Sequence, residues 1–296
     1  MLYAEDFAGY LKQNKKSSAN TIASYMRDLK KFNTYISADN ADFLSVSNKT
    51  VSSYISHMQE DGQAVSSVLR SIASLRAFYR FLVDIGKLPE NPLEGVKSPK
   101  LPERNISVLT SRETDLLLGQ PQPVGFKGCR DKAMLELLYA TGLKVTELID
   151  LKVSNVNLEG AQLSCGEGSK SRTIPLGSMA LNALKDYLPL RSNNILIQDE
   201  NDFLFVNISG GSMSRQGFWK IIKFYADKAK IKKEITPNTL RHSFAVHLIE
   251  SGADVSAVQE MLGHTAEFST KIYTDVVNRR LGSVYKKTKK SSRSKK

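Results

Sequence analysis

The stretch TPNTLRHSFAVHLIESGADVSAVQEMLGHTAEFSTKIYTDV, residues 236–276, decides how the rest of the chain is read. Thr236 followed by Pro237 is a cap and first-turn pair, so a helix starts there and carries Arg241 and His242 early. Leu240, Phe244, Val246, His247, Leu248 and Ile249 surround that helix with apolar bulk, which predicts a largely buried element ended by Gly252. A second helix over roughly Val255 to Leu262 stops at Gly263. His264 then sits at a helix exit, and Tyr273 follows nine residues later in a third short helical segment.

Three functional groups stand out: a guanidinium, an imidazole and a phenol. A planar Arg holds two oxygens of one phosphate in a fixed fork. An imidazole donates a hydrogen bond to a phosphate oxygen or shuttles a proton. A tyrosine hydroxyl can form a covalent intermediate. An anion-holding pair beside a nucleophile is what phosphoryl transfer to protein requires. Each residue alone has an ordinary structural use: a core aromatic, a helix-end histidine, an arginine paired with a carboxylate. Their combination at this spacing points to the chemistry.

The 296 residues suffice for two domains with their own cores. A formal net charge of +12 and a pI of about 9.5 indicate a polyanionic partner, most simply nucleic acid. Seven Lys or Arg lie in Lys286 to Lys296, which leaves +5 for the body. That tail is low in complexity and reads as disordered in isolation. Cys129 and Cys165 are far apart and show no metal-ligand spacing, as expected of a reducing compartment. The first residues, MLYAEDFAGYLKQNKK, lack the pattern of a secretory signal, and no apolar run has the length of a membrane span. A soluble, cytoplasmic protein is the expectation.

Residues 1–97 read as a helical bundle. Ile22, Tyr25, Leu29, Phe32 and Ile36 form one stripe on a helix over Asn20 to Ile36, and Asn48 to Glu60 is a shorter helix. Val68, Ile72, Leu75, Tyr79 and Leu82 repeat the stripe over Ser66 to Ile85. The polar face of that last helix is assigned Ser67, Arg70, Ser71, Ser74, Arg76 and Arg80. Hydroxyls interleaved with Arg suit a helix near a DNA backbone or groove, and equally a solvated face. Leu88 to Asn105 is Pro-rich and reads as an extended connection, with the domain linker itself at 98–106. Its Lys97, Lys100 and Arg104 either follow a phosphate backbone or keep the linker soluble.

Downstream, Thr110 and Glu113 form a capping box, Phe126 to Ala140 is amphipathic, and Lys144 to Leu151 makes a short helix. Ala161 to Cys165 and Arg172 to Leu176 alternate around the turn GEGSKS as a β-hairpin. Helices over Ser178 to Arg191 and Ser214 to Ile231 flank a short strand at Phe203 to Val206. The fold class is therefore mainly α, a helical bundle plus a mixed, mostly α domain with a small β-sheet.

TLRHSFAVHL, the LGH of Leu262 to His264 and the IYT of Ile272 to Thr274 closely resemble the signature of the tyrosine recombinase (phage integrase) family, in its Xer-like branch. The resemblance extends upstream through YATGLKVTELIDL and GEGSKSRTIPL, covering the catalytic domain at 107–285, and more loosely to an N-terminal SAM-like, core-binding bundle. It implies a site-specific DNA recombinase with no metal, nucleotide or other cofactor, clamping double-stranded DNA in a C shape. In the family the tyrosine attacks a phosphodiester and leaves a 3′-phosphotyrosine link, which another strand's 5′-hydroxyl resolves. By position, Tyr273 would be the nucleophile, Arg241 one phosphate clamp and His264 a phosphate donor, acting directly or through another group. Family members assemble as tetramers on paired sites, some with a second recombinase. Asn278 to Tyr285 would be the segment docking on the neighbour.

The family pattern is broken at three places. An Arg follows Gly-Leu in the family; here it is Lys144, which keeps the charge without the planar two-point grip. The lysine that protonates the leaving 5′-oxygen is replaced by Glu167, and Lys170, three residues on, is the candidate substitute. The His of the His-x-x-Arg box is Asn238, which donates a hydrogen bond but takes no proton. Each weakened donor costs roughly 100- to 1,000-fold in rate. Two readings therefore stay open: a recombinase of reduced or partner-dependent activity, and a relative that acts by DNA binding alone. A helical transcription factor would explain the charge but not the LGH and IYT spacing.

Overall fold

The computed structural model describes residues 3–100, 106–166, 168, 171–194, 196–197, 201–263 and 272–278. The chain divides into two compact units, Met1–Arg104 and Asn105–Lys296.

The first unit holds α1 (Ala4–Gln13), α2 (Ala19–Ser37), α3 (Asn48–Glu60) and α4 (Val65–Asp84). Ser18 and Ser47 start α2 and α3 by accepting from the backbone N–H of Thr21 and Thr50, which satisfies donors left over in each first turn. Leu29, Phe32 and Ile36 meet the buried stripe of α4, all five of whose predicted members lie inside. Aromatic edges lock the centre, with Phe7 on Phe78 at 5.3 Å and Phe32 on Tyr54 at 4.9 Å between ring centroids.

The polar face assigned to α4 needs correction. Ser71 and Ser74 are buried, 3% and 0% exposed, while Arg76 and Arg80 are on the surface. For Ser74 the reason is Asp28, a buried carboxylate on α2. Arg70 grips it through Nε and Nη2, both at 2.9 Å, and the Ser74 hydroxyl points at the same group at 3.4 Å. A buried carboxylate must be paired, so the Ser74 hydroxyl turns inward rather than toward solvent, whereas the buried Ser71 hydroxyl makes no bond to Asp28.

The Pro-rich stretch is also more integrated than an extended connection. Leu93 is buried in the bundle core, and the Asn48 side chain donates to the carbonyls of Pro92 and Glu94 at 3.2 and 3.0 Å. Residues up to Val96 thus belong to the bundle, and Lys97 and Lys100 follow as exposed residues.

The second unit begins with α5 (Ser111–Leu118), started by the Thr110–Glu113 capping box. α6 (Gly125–Thr141) and the short α7 (Val145–Asp150) follow. The hairpin is there as β2 (Gln162–Cys165) and β3 (Arg172–Pro175), and a strand not foreseen, β1 (Val156–Asn157), pairs with β2. The antiparallel sheet has order β1-β2-β3. α8 (Ser178–Ser192), α9 (Arg215–Lys228), α10 (Pro237–Glu250), α11 (Val255–Leu262) and a helical segment at 272–278 complete it.

The strand expected at Phe203 to Val206 is absent; only isolated bridges join Lys152 to Phe203 and Val206 to Ser212. Side chains occupy the carbonyls a partner strand would use. Arg191 Nε donates to Phe203 O at 2.9 Å, Tyr187 to Leu204 O at 3.1 Å and Arg130 to Val206 O at 3.2 Å. With its acceptors taken, the segment is satisfied without a ladder. Among the described residues no helix is long and apolar enough to cross a membrane.

Candidate active site

α10 is placed by its ends. Thr236 accepts from the Thr239 N–H, Pro237 occupies the first turn, and Leu240, Ala245 and Val246 bury completely. That seating carries Arg241, only 5% exposed, into the unit's interior. Its two terminal nitrogens meet the ends of two other helices: Nη1 donates to Gly142 O, and Nη2 to Leu262 O at 2.7 Å. Last-turn carbonyls lack partners within their own helix, so the guanidinium satisfies them and is oriented in return.

Glycine makes this approach possible. Gly142 closes α6 with φ 60°, and a Cβ there would lie 2.5 Å from Phe244 Cδ1 and 2.7 Å from Leu262 Cδ2. Gly263 closes α11 with φ 62°, and a Cβ there would lie 2.9 Å from Arg172 Nη1. Any side chain would be strained at either φ and would also push the helix ends off the two arginines.

Tyr273, on the 272–278 segment, is 2% exposed and packs with Phe244, Val246, Val258 and Leu262. Its hydroxyl hydrogen-bonds the Arg241 side chain and lies 3.0 Å from His242 Nδ1. Burial pushes the phenol's pKa up, while the charge and hydrogen bond of Arg241 pull it back. Burial likewise lowers the pKa of Arg241 itself, although a guanidinium stays charged. His242 falls to about 4, first through burial and then through Arg241, so its ring is neutral near pH 7.

A second arginine extends the site. Arg172, at the start of β3, donates to Met261 O at 2.7 Å and clasps both oxygens of Glu147 at 3.2 and 3.0 Å. Glu147 also accepts from the Lys144 backbone N–H at 2.8 Å, which starts α7. Burial pushes this carboxyl up, but the Arg172 and Lys144 bonds and charges together outweigh it and hold it below its ordinary range. The Lys144 ammonium is half-exposed, 3.6 Å from Glu147. Lys144, Glu147, Arg172 and Arg241 all act on the buried Cys165 thiol, whose pKa rises through burial, so they share one neighbourhood. Among the described residues, one acid beside three cations leaves this neighbourhood net positive, as an anion requires.

The structure thus brings Arg241 and Tyr273 into contact and sets Lys144 nearby. Asn238 is exposed on the first turn of α10. Glu167, Lys170, His264 and Arg104 lie outside the described residues, as do the basic tail and all but the first residue of Asn278 to Tyr285. Of the residues proposed for DNA, Arg76, Arg80, Lys97 and Lys100 are exposed, whereas Arg70 is engaged with Asp28. Sequence reasoning assigned no role to His242, Glu147 or Arg172. The signals were present: His242 adjoins Arg241, Glu147 follows Lys144 by three residues on a short helix, and Arg172 ends the GEGSKSR turn.

A mainly helical unit with a small sheet, and an arginine bonded to a buried tyrosine among further cations, define a phosphoryl-transfer class of site. The comparisons narrow that class. Residues 107–280 match the model described as "Phage integrase family", and residues 4–86 match "Phage integrase, N-terminal SAM-like domain". The "Tyrosine recombinase XerD" of Halalkalibacterium halodurans is 41% identical over 284 residues, 95% of each chain. That of Listeria monocytogenes serotype 4b is 41% identical over 286 residues, covering 95% of this chain and 96% of its own. Among solved structures, XerH site-specific recombinase bound to a palindromic difH substrate matches with TM-score 0.75 and 20% identity, over 95% of this chain and 84% of that one. XerA recombinase matches with TM-score 0.55 and 25% identity, over 96% and 97%. This chain belongs to the phage integrase family of tyrosine recombinases.

Proposed function

We infer that this chain is a site-specific recombinase that cuts and rejoins double-stranded DNA through a 3′-phosphotyrosine intermediate. The Tyr273 oxygen attacks a phosphodiester, the P–O5′ bond breaks, and a 5′-hydroxyl from another strand later displaces the tyrosine. The phosphotyrosine conserves the energy of the broken link, so the reaction needs no cofactor. Arg241 holds the phosphate, with Lys144 and His264 as further donors. Lys170 protonates the leaving 5′-oxygen, and Asn238 supplies a hydrogen bond. Lys144, Glu167 and Asn238 reduce the rate relative to a site with the full family set. Arg76, Arg80, Lys97, Lys100 and Arg104, with the half-exposed Arg70, contact the DNA backbone, so binding weakens steeply with salt. The protein works in the cytoplasm as a tetramer on paired sites, alone or with a second recombinase.

The contact between Arg241 and the Tyr273 hydroxyl carries this reading. A chain that only bound DNA would have no use for a phenol held against a phosphate-binding guanidinium. The test is recombination between two plasmid-borne copies of a genomic fragment captured by the protein. Wild type should yield recombinants, and Tyr273→Phe should yield none while keeping its DNA affinity. Recombinants from Tyr273→Phe would remove Tyr273 from the role.

A further inference from the structure

We propose that His242 is a catalytic residue: its imidazole takes the proton from the Tyr273 hydroxyl as that oxygen attacks phosphorus. The proposal rests on the recombinase reading above and adds the acceptor that reading lacks. A neutral phenol is a poor nucleophile, and its proton must leave as the O–P bond forms. Asn238 stands where the family's box has an imidazole, but an amide accepts no proton, and Asn238 lies on the exposed first turn of α10. Both oxygens of Glu147 are held by Arg172.

His242 has the required geometry. Nδ1 lies 3.0 Å from the Tyr273 oxygen, within reach of direct transfer, and the two rings are 5.6 Å apart between centroids. For the phenol to donate, Nδ1 must carry the lone pair, which is the tautomer with the proton on Nε2. The same oxygen accepts from Arg241, so one neighbour stabilises the forming phenolate while the other removes the proton. Burial and Arg241 keep the resting ring neutral, hence able to accept. A phosphate docked on Arg241 brings negative charge beside His242, which favours the imidazolium at the moment it forms.

The step balances. The Tyr273 Oη–P bond forms, the P–O5′ bond breaks, the phenolic proton passes to Nδ1, and the departing 5′-oxygen takes a proton from the lysine assigned to it. On rejoining, the imidazolium returns its proton to the leaving phenolate. Among the described residues, Arg241 on α10 and Tyr273 on the 272–278 segment are the charged and titratable groups that face the ring.

The alternative is that His242 only pins the 272–278 segment to α10. His242→Asn separates the two, because its amide oxygen falls near the place of Nδ1 and accepts the hydrogen bond without taking a proton. The probe is a nicked genomic duplex on which the wild-type protein forms a covalent adduct, with adduct formation timed across pH. General-base loss should slow the adduct by about 100-fold or more at unchanged DNA affinity. It should also erase the acid limb that protonation of His242 gives the wild type. If the substitution lowers DNA affinity, His242→Gln is judged by the same criteria. A variant rate within a few-fold of wild type, or a slower rate with the acid limb intact, would overturn the proposal. Absence of any wild-type adduct would overturn the recombinase reading itself, a distinct result.

Discussion

Helix α10 carries two tyrosine–histidine pairs five residues apart, His242 with Tyr273 and His247 with Tyr139. Their hydrogen bonds are nearly equal, 3.0 and 2.9 Å, and each histidine presents Nδ1 to a phenol. Their surroundings differ. His247 donates Nε2–H to Leu109 O at 2.9 Å, so its tautomer is fixed by a backbone carbonyl and the pair acts as a strut between α10, α6 and the start of the unit. Around Tyr139 the charges are acids: burial raises its pKa, and Asp115 and Glu136 raise it further. Around Tyr273 the charge contributed by the described residues is Arg241, which opposes the burial. Under the function proposed above, the same pair of side chains serves structure beside carboxylates and chemistry beside a guanidinium. A hydrogen bond does not make a phenol a nucleophile; the field around it does.

The comparison breaks most sharply at Arg241. Arg241→Lys keeps one positive charge but cannot span Gly142 O, Leu262 O and the phenol, so adduct formation should fall by roughly 100- to 1,000-fold in a timed cleavage assay. A near-normal rate would mean that the field at Tyr273 has another source. The effect in the opposite direction should be smaller. Lys144→Arg combined with Glu167→Lys adds a planar fork and reverses a charge within the GEGSKS motif, and should raise the cleavage rate by about tenfold or more, a fraction of one full donor. No increase would relocate the weak points of this site.

The smallest effect belongs to the structural pair. Tyr139→Phe leaves His247 without its phenol and should lower the unfolding free energy by about 1 kcal/mol, read by urea denaturation, with no change in cleavage. Loss of cleavage there would erase the distinction between the two pairs.

What could be read in advance follows the range of the interactions involved. α10 was legible because Thr236, Pro237 and the apolar positions around it act within a few residues. The ends of α6 and α11 were legible through Gly142 and Gly263. Tyr273 and Arg241 were legible as a pair through the resemblance of their motifs. The Asp28–Arg70–Ser74 cluster was not, because its partners are more than forty residues apart and Ser74 looks like a surface residue until Asp28 is placed. The missing strand at Phe203 to Val206 failed for the same reason: its carbonyls are claimed by Arg130, Tyr187 and Arg191, which nothing local announces. The Arg172–Glu147 clasp joins β3 to α7, and its importance appears only once Arg172 also donates to Met261 O at the end of α11. Periodicity reports which face is apolar; it does not report which polar group a buried charge selects.

The most direct test of the account is the state of Tyr273 after contact with DNA. The protein is incubated with nicked genomic duplexes, denatured, digested with nuclease and protease, and analysed by mass spectrometry. The account predicts a nucleotide attached to the peptide that contains Tyr273. Duplex bound in the same tube with Tyr273 unmodified, beside an active relative that does form its adduct, would contradict it and leave a protein that holds DNA without cutting it.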